Sequence, residues 1–302
     1  MRRGLCKIWI SVVGIAVVTS AAGCGGTAAP GGASSPSGPR VDPDVAFAKY
    51  DEAAKPFECS EAYTEMWIAL DDTHYGIMKD RARQHRDVVA TWDDQLSKIA
   101  FPVAAQPIVA RMRGFLATEL PGLNELVEAD DKNVGRMWTV MAQVQADDSS
   151  ATVEGDRLRE ALGHPESQAS IAADQLDLAY VTFVKDIDPV AAKREAALAA
   201  NDLDGAKAAN AIEIDAAQRY IDTLGTISWP PGTFEGQANT LRKDLLGLIE
   251  FDRHQVDVVT TAQIVRTPEG GTPEMVAADH AEQDLWNVLA RADAKVRPGN
   301  CS

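Results

Sequence analysis

Positive charge is the first thing this chain lacks. Lysine and arginine number 29 against 45 aspartates and glutamates, a formal net charge of −16. No basic stripe able to neutralise a phosphate backbone is present, which excludes nucleic acid as a partner. Catalytic signatures are missing as well. The sequence contains no H-E-x-x-H, G-x-S-x-G, Walker loop, S-x-x-K or C-x-x-C, nor the E-x-x-H pair that builds di-metal sites in helical bundles. The residues therefore point away from an enzyme, and they imply no cofactor. Long β-branched runs alternating with polar residues are also absent, which leaves helix as the expected secondary structure.

What is present begins at the N-terminus. Arg2, Arg3 and Lys7 precede an apolar run from Ile8 to Val18. That run is too short to cross a bilayer of roughly 30 Å and suits the core of a signal peptide. Ala21, Ala22 and Gly23 then lead into Cys24. This arrangement resembles the lipobox of bacterial lipoproteins, with Ala21 where that family usually has leucine. The resemblance implies cleavage before Cys24, a diacylglycerol on its thiol, and a protein anchored outside the cytoplasm by lipid. Each buried methylene contributes about 0.8 kcal/mol to such an anchor. Residues 24–42, rich in Gly, Ser, Ala and Pro, read as the lipidated cysteine and a flexible tether. Loss of the basic residues in segment 1–23, which holds no acidic one, takes the charge of the mature chain from −16 to −19. So acidic a body would be repelled by an anionic membrane surface, which suits a tethered domain better than a peripheral one.

Of four cysteines, Cys6 departs with the signal peptide and Cys24 takes lipid. Cys59 and Cys301 remain in an oxidising compartment, and a disulfide between them is the expected state. The closed loop would span 242 residues, for which loop entropy gives about 5 kcal/mol of stabilisation.

From residue 43 the chain is helical in pattern, and it resembles itself. At an offset of 128, residues 69–102 align with 197–230 without a gap, with eight identities in 34 positions. They include Leu70/Leu198, Asp94/Asp222, Ile99/Ile227 and Pro102/Pro230. The expected fold is all-α, two tandem four-helix-bundle-like repeats over residues 43–163 and 166–302. In the first, Asp42 and Pro43 start a helix to Asp71 broken near Pro56, a second ends at Ile99, a third runs to about Ala146 with a kink at Pro121–Gly122, and a fourth covers Ser150–Leu162. In the second, the segments are 166–200 (interrupted at Asp188–Pro189), 204–227, 233–265 and 273–295.

The five histidines differ in what surrounds them. His254 shares a helical face with Glu250 and Asp257, opposite Leu245, Leu248 and Ile249, and His280 lies with Asp284, so both read as solvated. His74 sits near a turn and His164 in a linker. His85 alone interrupts an apolar seam, formed by Met78, Val88, Trp92, Leu96 and Ile99. Its counterpart one repeat on is Glu213. In a hairpin of the first two helices His85 would lie across from Tyr63, whose hydroxyl could be its hydrogen-bond partner. Two readings stay open: a buried polar group satisfied by a neighbour, or the wall of a small metal or ligand pocket formed by His85, Tyr63 and, in the second repeat, Glu213.

These residues describe a lipid-anchored, extracytoplasmic helical protein acting as a binding or interaction module of the cell envelope, with the membrane and an envelope protein as partners. A metal- or haem-binding envelope protein is the alternative, and an enzyme acting on the cell wall a third. The architecture resembles imelysin-like envelope proteins, whose G-x-H-x-x-E motif has no match here beyond "DRHQVD" at His254. Replacing Cys24→Ser is expected to abolish lipidation and membrane retention; a variant still membrane-bound and normally processed would remove the anchor. Intact mass of the unreduced protein should show Cys59 and Cys301 joined, and two free thiols would remove the crosslink.

Overall fold

A computed structural model describes residues 41–264 and 272–296; segments 1–40, 265–271 and 297–302 lie outside it, and with them the signal peptide, Cys24, most of the tether and Cys301. Among the described residues the structure is all-α. The helices are α1 (Pro43–Glu58), α2 (Ala62–Asp71), α3 (Tyr75–Lys98), α4 (Gln106–Glu128), α5 (Val134–Ala161), α6 (Gln168–Ala199), α7 (Leu203–Leu224), α8 (Thr233–Val256) and α9 (Pro273–Val296). None of them is long and apolar enough to cross a membrane.

Local chemistry sets most of the boundaries. The Asp42 carboxylate accepts from the Asp44 amide at 3.0 Å, with Pro43 in the first turn, where its missing N–H costs nothing. Ser167 and Asp202 cap α6 and α7 in the same way. Several boundaries depart from the sequence expectation: α8 ends at Val256 rather than 265, and α6 runs unbroken through the expected interruption at Asp188–Pro189. The third and fourth segments were expected to part between 146 and 150, but the break falls at residues 129–133, within "EADDKN", and α5 runs unbroken through 146–150. The serines there are accommodated within it: Ser150 Oγ donates back to the Ala146 carbonyl at 2.6 Å, and Ser149 Oγ to Asp177 at 2.6 Å. Pro56, Pro121 and Pro189 all lie inside helices, and the break after α1 comes three residues past Pro56.

Two main clusters of buried side chains organise the helices. One is drawn from α1 to α5, with Tyr50, Met66, Met78, Trp92, Met112, Leu116 and Leu126 at its centre. The other is drawn from α6 to α9, around Leu176, Phe183, Tyr220, Leu241, Leu245 and Leu285. From α2 onward successive helices pack against one another, α1 packs on α3, and α5 packs on α6 to join the two groups. Phe101 is buried in the first cluster, and Trp229 packs on the second while its indole N–H donates to the Leu224 carbonyl at 3.3 Å. These aromatic loops are therefore part of the packing.

One close approach fixes the α4–α5 pair. A Cβ on Gly122 would lie 2.9 Å from Val144 Cγ2, so only glycine lets the helices meet there. Gly122 is one turn past Glu119 and Val144 one turn before Asp148, and the two acids are thereby brought to the same level of the bundle.

Candidate metal centre

His85, Glu119 and Asp148 come from three different helices and meet inside the first group. Each occupies a core-facing position for a local reason. His85 lies on the α3 face that buries Met78, Ala82, Val89, Trp92 and Leu96. Glu119 interrupts the α4 stripe Met112, Leu116, Leu123, Leu126, spaced by four and three residues. Asp148 stands on α5, its side chain 16% exposed, while those of His85 and Glu119 are 2% and 0% exposed.

The geometry is tight. His85 Nε2 lies 2.9 Å from Glu119 Oε1 and 3.5 Å from Asp148 Oδ1, the second an ion-pair distance without hydrogen-bond alignment. One ligand atom from each residue lies within 4.8 Å of those of the other two. Aromatic rings close the other side: Tyr63 on α2 stands 5.3 Å from the imidazole between ring centroids, and Phe57 stands 5.9 Å from it while stacking on Trp92. Several polar atoms in this shell are left without a hydrogen bond of normal geometry: His85 Nδ1, Glu119 Oε2, Asp148 Oδ1 and the Tyr63 hydroxyl. Buried polar atoms ordinarily have partners.

Electrostatically the site is short of positive charge. One imidazole faces two carboxylates, and Asp147, held by the Gln143 amide at 2.9 Å, adds its field to Glu119. Burial pulls the His85 proton affinity down, but the Asp148 and Glu119 carboxylates outweigh it and hold the pKa at about 9. Burial pushes Glu119 up to about 7 against the pull of His85, with Asp148 pushing the same way. Burial first, then the charges of Asp148 and Asp177, raises the Tyr63 hydroxyl far above its usual range.

The donor set fits a divalent cation. Metal–ligand bonds of about 2.1 Å meeting at ordinary coordination angles place donor atoms about 3.0 to 3.4 Å apart. The 2.9 and 3.5 Å separations around Nε2 are of that size. A dication with a neutral imidazole and two carboxylates is charge-balanced, whereas a proton on the imidazole leaves one negative charge in excess. One nitrogen and two carboxylate donors suit Fe²⁺, Mn²⁺ or Zn²⁺, and Glu119 Oε2 is free to make the glutamate bidentate.

The other candidates are placed as follows. Tyr63 lies against His85, but no hydrogen bond joins them: Nε2 is turned to Glu119, and Nδ1 does not meet the hydroxyl. Glu213 is in the second group, where the Arg194 guanidinium donates to its Oε2 at 3.1 Å. His254, Glu250, Asp257, His280 and Asp284 are exposed. His164 stacks on Phe47 with centroids 3.9 Å apart and meets Asp44 at 3.0 Å. A cavity of about 50 Å³ in the second group, lined by Tyr180, Phe183, Tyr220, Met275 and Glu282, is far below the several hundred cubic ångströms of a ligand pocket.

Sequence reasoning missed Glu119 and Asp148. Glu119 carried a readable signal, an acid at a core position of a four-and-three stripe. Asp148 fell in a stretch read as a helix break. Comparison of the chain with family models, curated proteins and solved structures finds no match, so the site is read from its own chemistry.

Both His85 and Glu119 bind protons more tightly folded than unfolded, where their values are near 6.5 and 4.5. Their contribution to stability is complete below those values and is lost as pH rises through about 7 for Glu119 and about 9 for His85. The metal-free protein should therefore melt at progressively lower temperature from about pH 4.5, where Glu119 begins to lose its contribution, to just above pH 9, where His85 has lost its own, and His85→Leu/Glu119→Leu should flatten that slope. An equally steep slope in the double variant would contradict the assignment.

Proposed function

We propose that this chain is a lipid-anchored envelope protein whose first group of helices binds one first-row divalent metal ion through His85, Glu119 and Asp148. The observation that carries the reading is the convergence of these three donors, from α3, α4 and α5, in a buried pocket with more negative than positive charge. Burying two carboxylates beside a single imidazole is expensive unless a cation compensates them. Metal binding thus becomes the leading account of the binding module that the sequence implies.

The setting belongs to the same proposal. The apolar leader, Cys24 and the Gly/Ser/Pro tether support an extracytoplasmic, membrane-moored body. A Cys59–Cys301 disulfide would tie the end of α1 to the chain's C-terminal segment; Cys59 caps α1 and is not without a partner. The two groups of helices are read as diverged copies of one unit, on the 128-residue self-alignment.

Metal content decides the central point. Protein stripped with chelator, then equilibrated with Zn²⁺ or Mn²⁺ and desalted, should retain one ion per chain. His85→Ala and Glu119→Gln should each weaken binding by about a hundredfold or more, with far-UV circular dichroism unchanged. No retained ion, or equal retention by both variants, would overturn the reading.

A further inference from the structure

The second group of helices buries an ionic cluster of its own, and its positions correspond to those of the first. At the 128-residue offset, Met78, Ala82, His85, Val89, Trp92 and Leu96 on α3 fall on Ala206, Asn210, Glu213, Ala217, Tyr220 and Leu224 on α7, and all twelve are buried. The next helix repeats the spacing at an offset of 133, five residues longer: Met112, Leu116 and Glu119 on α4 are spaced as Leu245, Ile249 and Asp252 are on α8, again all buried. His85 thus answers to Glu213 and Glu119 to Asp252. A second exchange, besides His85 to Glu213, changes the charge: Met66, wholly buried on α2, falls on Arg194 on α6 at the 128-residue offset.

We propose that the second group carries a counterpart of the first group's cation site, in which the Arg194 guanidinium is the built-in cation. The inference rests on reading His85, Glu119 and Asp148 as a cation site. Arg194, Glu213 and Asp252 are 5%, 3% and 1% exposed. The guanidinium donates to Glu213 Oε2 at 3.1 Å and attracts Asp252 as well, while Glu274 on α9 adds its field. A guanidinium does not lose its proton, so the positive charge here is permanent, whereas a metal ion in the first group can exchange. The cluster also holds oxygen donors beyond those the arginine engages. Asn210, one turn before Glu213, is wholly buried with both amide atoms unpartnered, and Asp252 Oδ2 has no hydrogen bond. Removing the guanidinium would leave Glu213 and Asp252, which feel each other's charge, and the Asn210 amide one turn from Glu213 as oxygen donors only, a type that suits Mn²⁺ and other hard dications. The chain has one exchangeable and one permanently filled cation position.

Arg194→Met, which installs the residue the first group has at that place, tests this in the full chain by Mn²⁺ stoichiometry. The parent should bind one Mn²⁺ and the variant two. Adding His85→Ala or Glu213→Gln to the variant should return the count to one. If Arg194→Met is unfolded without metal, recovery of its helical circular dichroism in millimolar Mn²⁺ is the supporting result. A folded variant that binds no more Mn²⁺ than its parent, or one unfolded with and without Mn²⁺, overturns the proposal. If the parent binds none and Arg194→Met binds one that Glu213→Gln removes, the reading of the first group fails and this one stands.

Discussion

The constraint on which the first group of helices turns is the cost of burying Glu119. A carboxylate with no exposed surface is tolerated only where positive charge or a proton meets it, and here the imidazole of His85, 2.9 Å away, does so. That requirement fixes more than a side chain. It sets the height of α3 against α4, because a slip of one turn in either would strand both groups among methionine and leucine. Asp148 extends the constraint to α5, and the Gly122–Val144 contact holds α5 close enough for it to act. Three helices are thus placed in register by one small polar knot inside an apolar interior.

Much of the fold was legible because its signals are local. Asp42–Pro43 marks a helix start whatever surrounds it, and the stripe from Met78 to Leu96 exposes the core face of α3. The errors came where local signals competed. "DDSS" at 147–150 looks like a breaker, yet α5 passes through it, since packing on both neighbouring helices outweighs propensity. The true break, "EADDKN", holds the same residue types. The site was half legible for a related reason. His85 stood out on its own seam, but its partners are 34 and 63 residues downstream, and only tertiary packing assigns those acids to it among 45. Tyr63 was rightly placed beside His85 but makes no hydrogen bond to it; the imidazole gives Nε2 to Glu119, a residue 34 positions away that the local pattern does not reveal.

The two groups of helices show two solutions to one electrostatic problem. In the first, buried acids face an imidazole and leave polar atoms unpartnered; in the second, Arg194 supplies fixed charge to Glu213 and Asp252. Of the six core positions of α3 that fall on α7 at an offset of 128, five are uncharged in both helices, and the sixth sets His85 against Glu213.

Helix α5 belongs to both halves of the molecule. Its residues from Met137 to Arg159 are buried on more than one side, it lends Asp148 to the knot in the first group, and Ser149, the very next residue, donates to Asp177 of α6 at 2.6 Å. A party wall of this kind denies either half the freedom to loosen by itself: whatever parts the first group also strips a face from the second, so the helical body yields to heat or pulling as one piece.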